Sequence, residues 1–82
     1  MPTVLRIDGL RVVIYPNDHR PAHVHVIGHG CEALFFLRCP DGPPELRENY
    51  RFSLSELSSI IETLAAKVRE LCRRWEAIHG HP

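Results

Sequence analysis

An α+β fold, a four-stranded antiparallel β-meander packed on one long C-terminal helix, is predicted by three features of this 82-residue chain. Apolar and β-branched segments recur between residues 3 and 38, joined by connections far shorter than the dozen or more residues that a parallel crossover needs. Residues 40–45 read PDGPPE and break that pattern. From Ser53 to Ile78 apolar residues then return in steps of three and four, the spacing of one helix face.

Each element has its own local reason. Thr3 to Ile7 reads as the first strand, and Asp8-Gly9 is a dipeptide that favours a type I′ hairpin turn into Leu10 to Tyr15. Two prolines and an Asn-Asp pair interrupt the chain between Pro16 and Pro21. Ala22 to Ile27 makes the third strand, Gly28-His29-Gly30 the next turn, and Cys31 to Arg38 the fourth strand. The expected layout is therefore a meander over 1–38, a connecting loop over 39–52 and a helix over 53–79, within one domain spanning 1–82. Ser53 with Glu56 fits a capping box, Phe52 sits where a hydrophobic staple would, and Gly80 suits the residue after a helix end.

The helical stripe comprises Leu54, Leu57, Ile61, Leu64, Val68, Leu71, Trp75 and Ile78. A helix of about 26 residues would be roughly 39 Å long, against about 17 to 20 Å for a strand of five or six residues. Either the helix breaks near Ala65-Ala66, or its outer half buries Leu71, Trp75 and Ile78 against a second chain. A two-fold homodimer through those three residues is the expected solution.

Hydrophobic residues at 44% and charged residues at 24% describe an ordinary globular composition. The formal net charge of +0 gives no general attraction to polyanions, which argues against a dedicated DNA-binding module. No apolar run approaches the roughly 20 residues of a membrane helix, and the opening MPTVLR lacks a signal-peptide layout. A cytoplasmic location is expected. Cys31, Cys39 and Cys72 are odd in number and lack a C-x-x-C spacing, so reduced, mostly buried thiols are expected.

Four histidines, His19, His23, His25 and His29, fall within eleven positions. Strand side chains alternate, so His23, His25 and Ile27 share one face while Val24 and Val26 share the other. The valines belong under the helix. Histidines at i and i+2 sit about 7 Å apart at the backbone, close enough to lean toward one ion or one phosphate. As a metal site, His19, His23 and His25 with Asp18 or Glu32 nearby would suit zinc, nickel or iron. As an acid–base pair, His23 and His25 could cleave RNA without metal, with Arg11, Arg20 or Arg38 offsetting phosphate charge. The third reading is structural: the imidazoles fill a half-buried sheet face and turn over nothing. Asp18, His19 and Arg11 are the candidate binding residues around the pair, Asp18 because carboxylates orient functional imidazoles. Asn17, Asp18 and Pro21 are also good turn formers, and His79 and His81 near the C-terminus carry no expected role.

The stretches MPTVLRIDGLRV, YPNDHRPAHVHV and FSLSEL, with a late tryptophan, resemble a family of short bacterial proteins that is itself a domain of unknown function. The resemblance rests on an N-[DE]-H-x-P-x-H-V-H box matched by Asn17, Asp18, His19, Pro21, His23, Val24 and His25, and on Trp75. Ala22 stands where the box commonly has a second proline, and neither His29 nor Cys31 belongs to the pattern. The resemblance implies a small protein often encoded beside a second short protein, in a two-gene module of the toxin–antitoxin type. The leading functional expectation is thus a partner-binding component with a histidine-lined candidate surface. A metal-independent ribonuclease using His23 and His25, and a metal-binding regulator holding zinc or nickel, are the alternatives.

Overall fold

Asp8 and Gly9 both adopt positive φ, 46° and 82°, as a type I′ turn requires. They join β1 (Thr3–Ile7) to β2 (Leu10–Val13) in the computed structural model, which describes residues 3–80. His29 and Gly30 repeat the device, with φ of 55° and 75°, between β3 (His23–Gly28) and β4 (Cys31–Phe36). The fold is α+β, an antiparallel sheet in the order β1-β2-β3-β4-β5 followed by two helices.

The fifth strand corrects the sequence reading. Glu45–Tyr50, expected inside the 39–52 loop, pairs antiparallel with β4 as β5, and the register slips between Leu34 and Phe35. All six of its residues are exposed, so ELRENY shows no apolar alternation to betray a strand. A polar, charged strand is what a sheet edge favours, because it discourages further strand pairing there.

The core lies on the valine face. Val12 opposes Val26, Val24 opposes Phe35, and Val26 opposes Ala33. All five are fully buried in one cluster with Leu57, Ile60, Leu64, Val68, Leu71 and Trp75 from the helices. Burying such side chains contributes roughly 1.5–3 kcal/mol each, so this face decides which side of β3 the helices cover.

The single long helix is also corrected. The chain forms α1 (Leu54–Ala66) and α2 (Val68–His79), separated at Lys67, whose φ and ψ are −116° and 10°. The Lys67 N–H turns back to the Leu64 carbonyl at 3.1 Å. No proline or glycine causes this break. The longest extent of the fold is 33 Å, shorter than the straight rod of about 39 Å implied by its length. Breaking at Lys67 lets α2 place Val68, Leu71, Cys72 and Trp75 on the chain's own core. Leu71 and Trp75, expected at a dimer interface, are therefore buried without a second chain, which removes the reason for invoking one. Ile78 alone of the three stays 41% exposed.

The α1 capping box forms as expected: the Ser53 hydroxyl accepts from the Glu56 N–H at 3.1 Å, and the Glu56 carboxylate accepts from the Ser53 N–H at 2.8 Å. The expectation of reduced thiols is overturned for two cysteines. Cys39 and Cys72 form a disulfide that ties the segment after β4 to α2. Their separation of 33 residues offered no local signal, since only packing of α2 brings them together. Cys31 is free and half-buried. Among the described residues, no helix is long and apolar enough to cross a membrane.

Candidate metal centre

His23 and His25 lie on the strand face opposite Val24 and Val26. His25 opposes Val13 on β2 and Leu34 on β4, while His23 opposes Phe36. Their ring centroids are 5.2 Å apart. Into the space between them the β2–β3 loop delivers Asp18, not His19. His19 is exposed, whereas the side chains of Asp18, His23 and His25 are 13%, 11% and 15% exposed. One donor atom from each of these three lies within 4.8 Å of the other two.

Asp18 is held there by a local turn. Its own N–H donates to the Tyr15 carbonyl at 3.0 Å, and the Tyr15 N–H donates to Asp18 Oδ2 at 2.9 Å. The loop's Asn-Asp sequence favours this closure, because a short carboxylate can accept from a nearby backbone N–H. The carboxylate thus presents Oδ1 to His25 Nε2 at 3.2 Å and Oδ2 to His23 Nε2 at 3.6 Å.

The far nitrogens complete the arrangement. His23 Nδ1 lies 2.9 Å from the Pro21 carbonyl. A carbonyl can only accept, so Nδ1 carries the hydrogen and the neutral ring keeps its lone pair on Nε2, toward Asp18. His25 Nδ1 faces Glu32 Oε2 at 3.5 Å but is buried without a hydrogen-bond partner. Both His25 nitrogens therefore look at carboxylate oxygens. That suits a ring whose Nε2 lone pair is given to a cation while Nδ1–H points at Glu32, the usual outer partner of a ligating histidine.

Aromatic contacts wall the group. The Tyr15 ring meets His25 edge-on at 5.0 Å, and Trp75 lies 5.2 Å from the His23 ring. His79, expected to be incidental, stacks on Trp75 at 4.0 Å and reaches the Tyr15 carbonyl with Nε2 at 3.2 Å. The sequence reading missed it because 54 residues separate it from His25, and only the descent of α2 over the sheet end joins them. His81 lies outside the described residues. Arg11 opposes Ile27, two positions along β2 from the residue that faces His25, and does not join the group. His29 sits in the β3–β4 turn, exposed, beside the Asp8 carbonyl.

Two imidazoles and a carboxylate are a donor set suited to zinc, iron(II) or nickel, with positions left for water. Tetrahedral donors bound at about 2.1 Å stand roughly 3.4 Å apart. The Asp18 Oδ1–His25 Nε2 distance of 3.2 Å is close to that value, and His23 Nε2 lies 3.6 Å from the other carboxylate oxygen.

No curated protein and no solved structure matches the chain. Residues 9–76, which include β2 to β5, the Asp18–His23–His25 group and Trp75, match the family described as a domain of unknown function, DUF4160, and the chain belongs to that family.

Proposed function

We propose that this protein binds a divalent transition-metal ion, with Asp18 Oδ1 or Oδ2, His23 Nε2 and His25 Nε2 as ligands. The observation that carries the reading is convergence with orientation. One donor atom from each of three side chains converges within 4.8 Å, and the far nitrogen of each imidazole faces an acceptor, the Pro21 carbonyl or Glu32. The carboxylates of Asp18 and Glu32, both within 3.6 Å of imidazole nitrogens, also make a local environment that favours a cation. Acid–base cleavage of RNA fits the geometry less well, since both Nε2 atoms turn inward to Asp18 instead of outward to a substrate and His23 is only 8% exposed.

The test uses the chain's single tryptophan. Trp75 lies 5.2 Å from the His23 ring, so its emission should change when metal-free protein is titrated with zinc, nickel or cobalt(II). A ligand present at about 100 times its Kd adds roughly 2.7 kcal/mol to folding stability. Asp18→Asn and His25→Ala should abolish both responses. No change in emission or melting with any of these ions overturns the reading.

A second reading concerns the rest of the histidine face. Ile27, Leu34 and Phe36 are half-buried there, and Tyr50, opposite Glu32, is 60% exposed. Such a face suits a protein partner, including the neighbouring-gene product of a toxin–antitoxin-like module. Co-expression of the two should give a stoichiometric complex that Tyr50→Arg disrupts; separate elution of the two proteins counts against it.

A further inference from the structure

We infer that His79 is a positioning residue for this centre, through which the end of α2 fixes the Asp18 ligand. The inference rests on the metal-binding reading and adds to it the element that preorganises the site.

Asp18 comes from a loop in which residues 15–17 and 19–21 are all exposed. A ligand on such a loop must be ordered when metal binds, and that cost lowers affinity unless something else has already ordered it. The Tyr15 backbone does so locally, gripping Asp18 by both its N–H and its carboxylate. Tyr15 is in turn tied to the helix. His79 Nε2 donates to the same Tyr15 carbonyl that accepts the Asp18 N–H, at 3.2 and 3.0 Å respectively. The His79 ring is itself held by its stack on Trp75, which has no exposed surface and also meets the His23 ring.

Helix α2 thus touches both parts of the centre. Through Trp75 it backs the β3 ligand His23, and through His79 it holds the turn that carries Asp18. Gly80, with φ of 93°, ends the helix immediately after this contact, its N–H closing on the Glu76 carbonyl at 2.8 Å. His79 consequently occupies the final position of a helix anchored one turn earlier by buried Trp75.

Two features of His79, the N–H donor and the aromatic stack, can be separated by substitution. His79→Phe keeps a ring for Trp75 but removes the donor. His79→Gln loses the ring but offers an amide N–H to the Tyr15 carbonyl. Cobalt(II) binding, followed by visible absorption and competed with zinc, reads both affinity and ligand geometry in the full chain. The inference predicts affinity about 10-fold to 100-fold weaker for His79→Phe and His79→Ala, the range found for outer partners of metal ligands. It predicts substantial recovery in His79→Gln, with one ion per chain throughout. The Asp18 amide should exchange with solvent faster in His79→Phe than in the wild type, a measurement that needs no metal. Wild-type affinity in His79→Phe, or failure of His79→Gln to recover, overturns the inference while leaving the metal centre standing. A wild-type chain that binds none of these ions takes down both.

Discussion

The two ends of β3 carry similar residues and behave differently. At its start His23 and His25 converge with Asp18 behind Tyr15, Trp75 and His79. Just beyond its end His29 stands in a two-residue turn with positive φ, exposed, its ring beside the Asp8 carbonyl. Carboxylates lie near both: Asp18 and Glu32 at one end, Glu56 at the other, where the His29 charge contributes a little to holding Glu56 below its ordinary range. What separates the ends is enclosure. A loop and a helix close over the first, whereas the second is bounded by turns and the first turn of α1, so its polar groups can satisfy themselves with water.

The largest test of this contrast is Trp75→Ala. Removing a fully buried tryptophan costs about 3–5 kcal/mol and should also weaken metal binding, because His23 and His79 both pack on that ring. Urea denaturation and cobalt titration measure the two effects. Full cobalt affinity in a destabilised but folded variant would separate the core from the site.

Next comes the direct comparison of histidines. Excess zinc, at about 100 times its Kd, should stabilise the wild type by roughly 2.7 kcal/mol. That gain should vanish in His25→Ala and persist in His29→Asn. Equal loss in both variants would mean that zinc binds histidines without regard to enclosure.

A smaller effect belongs to the far end alone. Ser53→Ala should lower stability by about 1 kcal/mol with no change in metal affinity. The Ser53 backbone N–H, then its hydroxyl, hold the Glu56 carboxyl below its ordinary 4.5, with a lesser contribution from the His29 charge. A folded value below the unfolded one means that the contribution is present in full above pH 4.5 and fades as pH falls through the lower folded value. The stability difference between wild type and Glu56→Gln should therefore shrink on acidification. A difference that grows instead would assign the cap a different origin. Smallest of all, His29→Asn should change stability by no more than about 0.5 kcal/mol in chemical denaturation, as surface substitutions usually do.

Much of this contrast is legible in the amino-acid sequence. Alternation along HVHV placed Val24 and Val26 in the core and the histidines on the other face. Asp8-Gly9 announced its turn and Ser53 with Glu56 its cap, since each acts over two to four residues. Asp18 was visible as a candidate, but its displacement of His19 was not: both occupy one loop, and the choice depends on the turn that Tyr15 and Asp18 close between them. The strand β5 stayed hidden because edge strands need no apolar alternation, and the Cys39–Cys72 bridge because its partners meet only through tertiary packing.

The amino-acid sequence alone determined the antiparallel meander, the parity of its central strand, its two tight turns and the start of α1, all matters of backbone preference and local hydrogen bonding. Tertiary structure decided the break at Lys67, where nothing in Ala65-Ala66-Lys67-Val68 opposes a continuous helix. A straight rod would outrun the core; bending it buries Leu71, Cys72 and Trp75 and lowers His79 onto Tyr15. Burial of apolar surface favours the bend, and the enclosure of the histidine pair is its consequence.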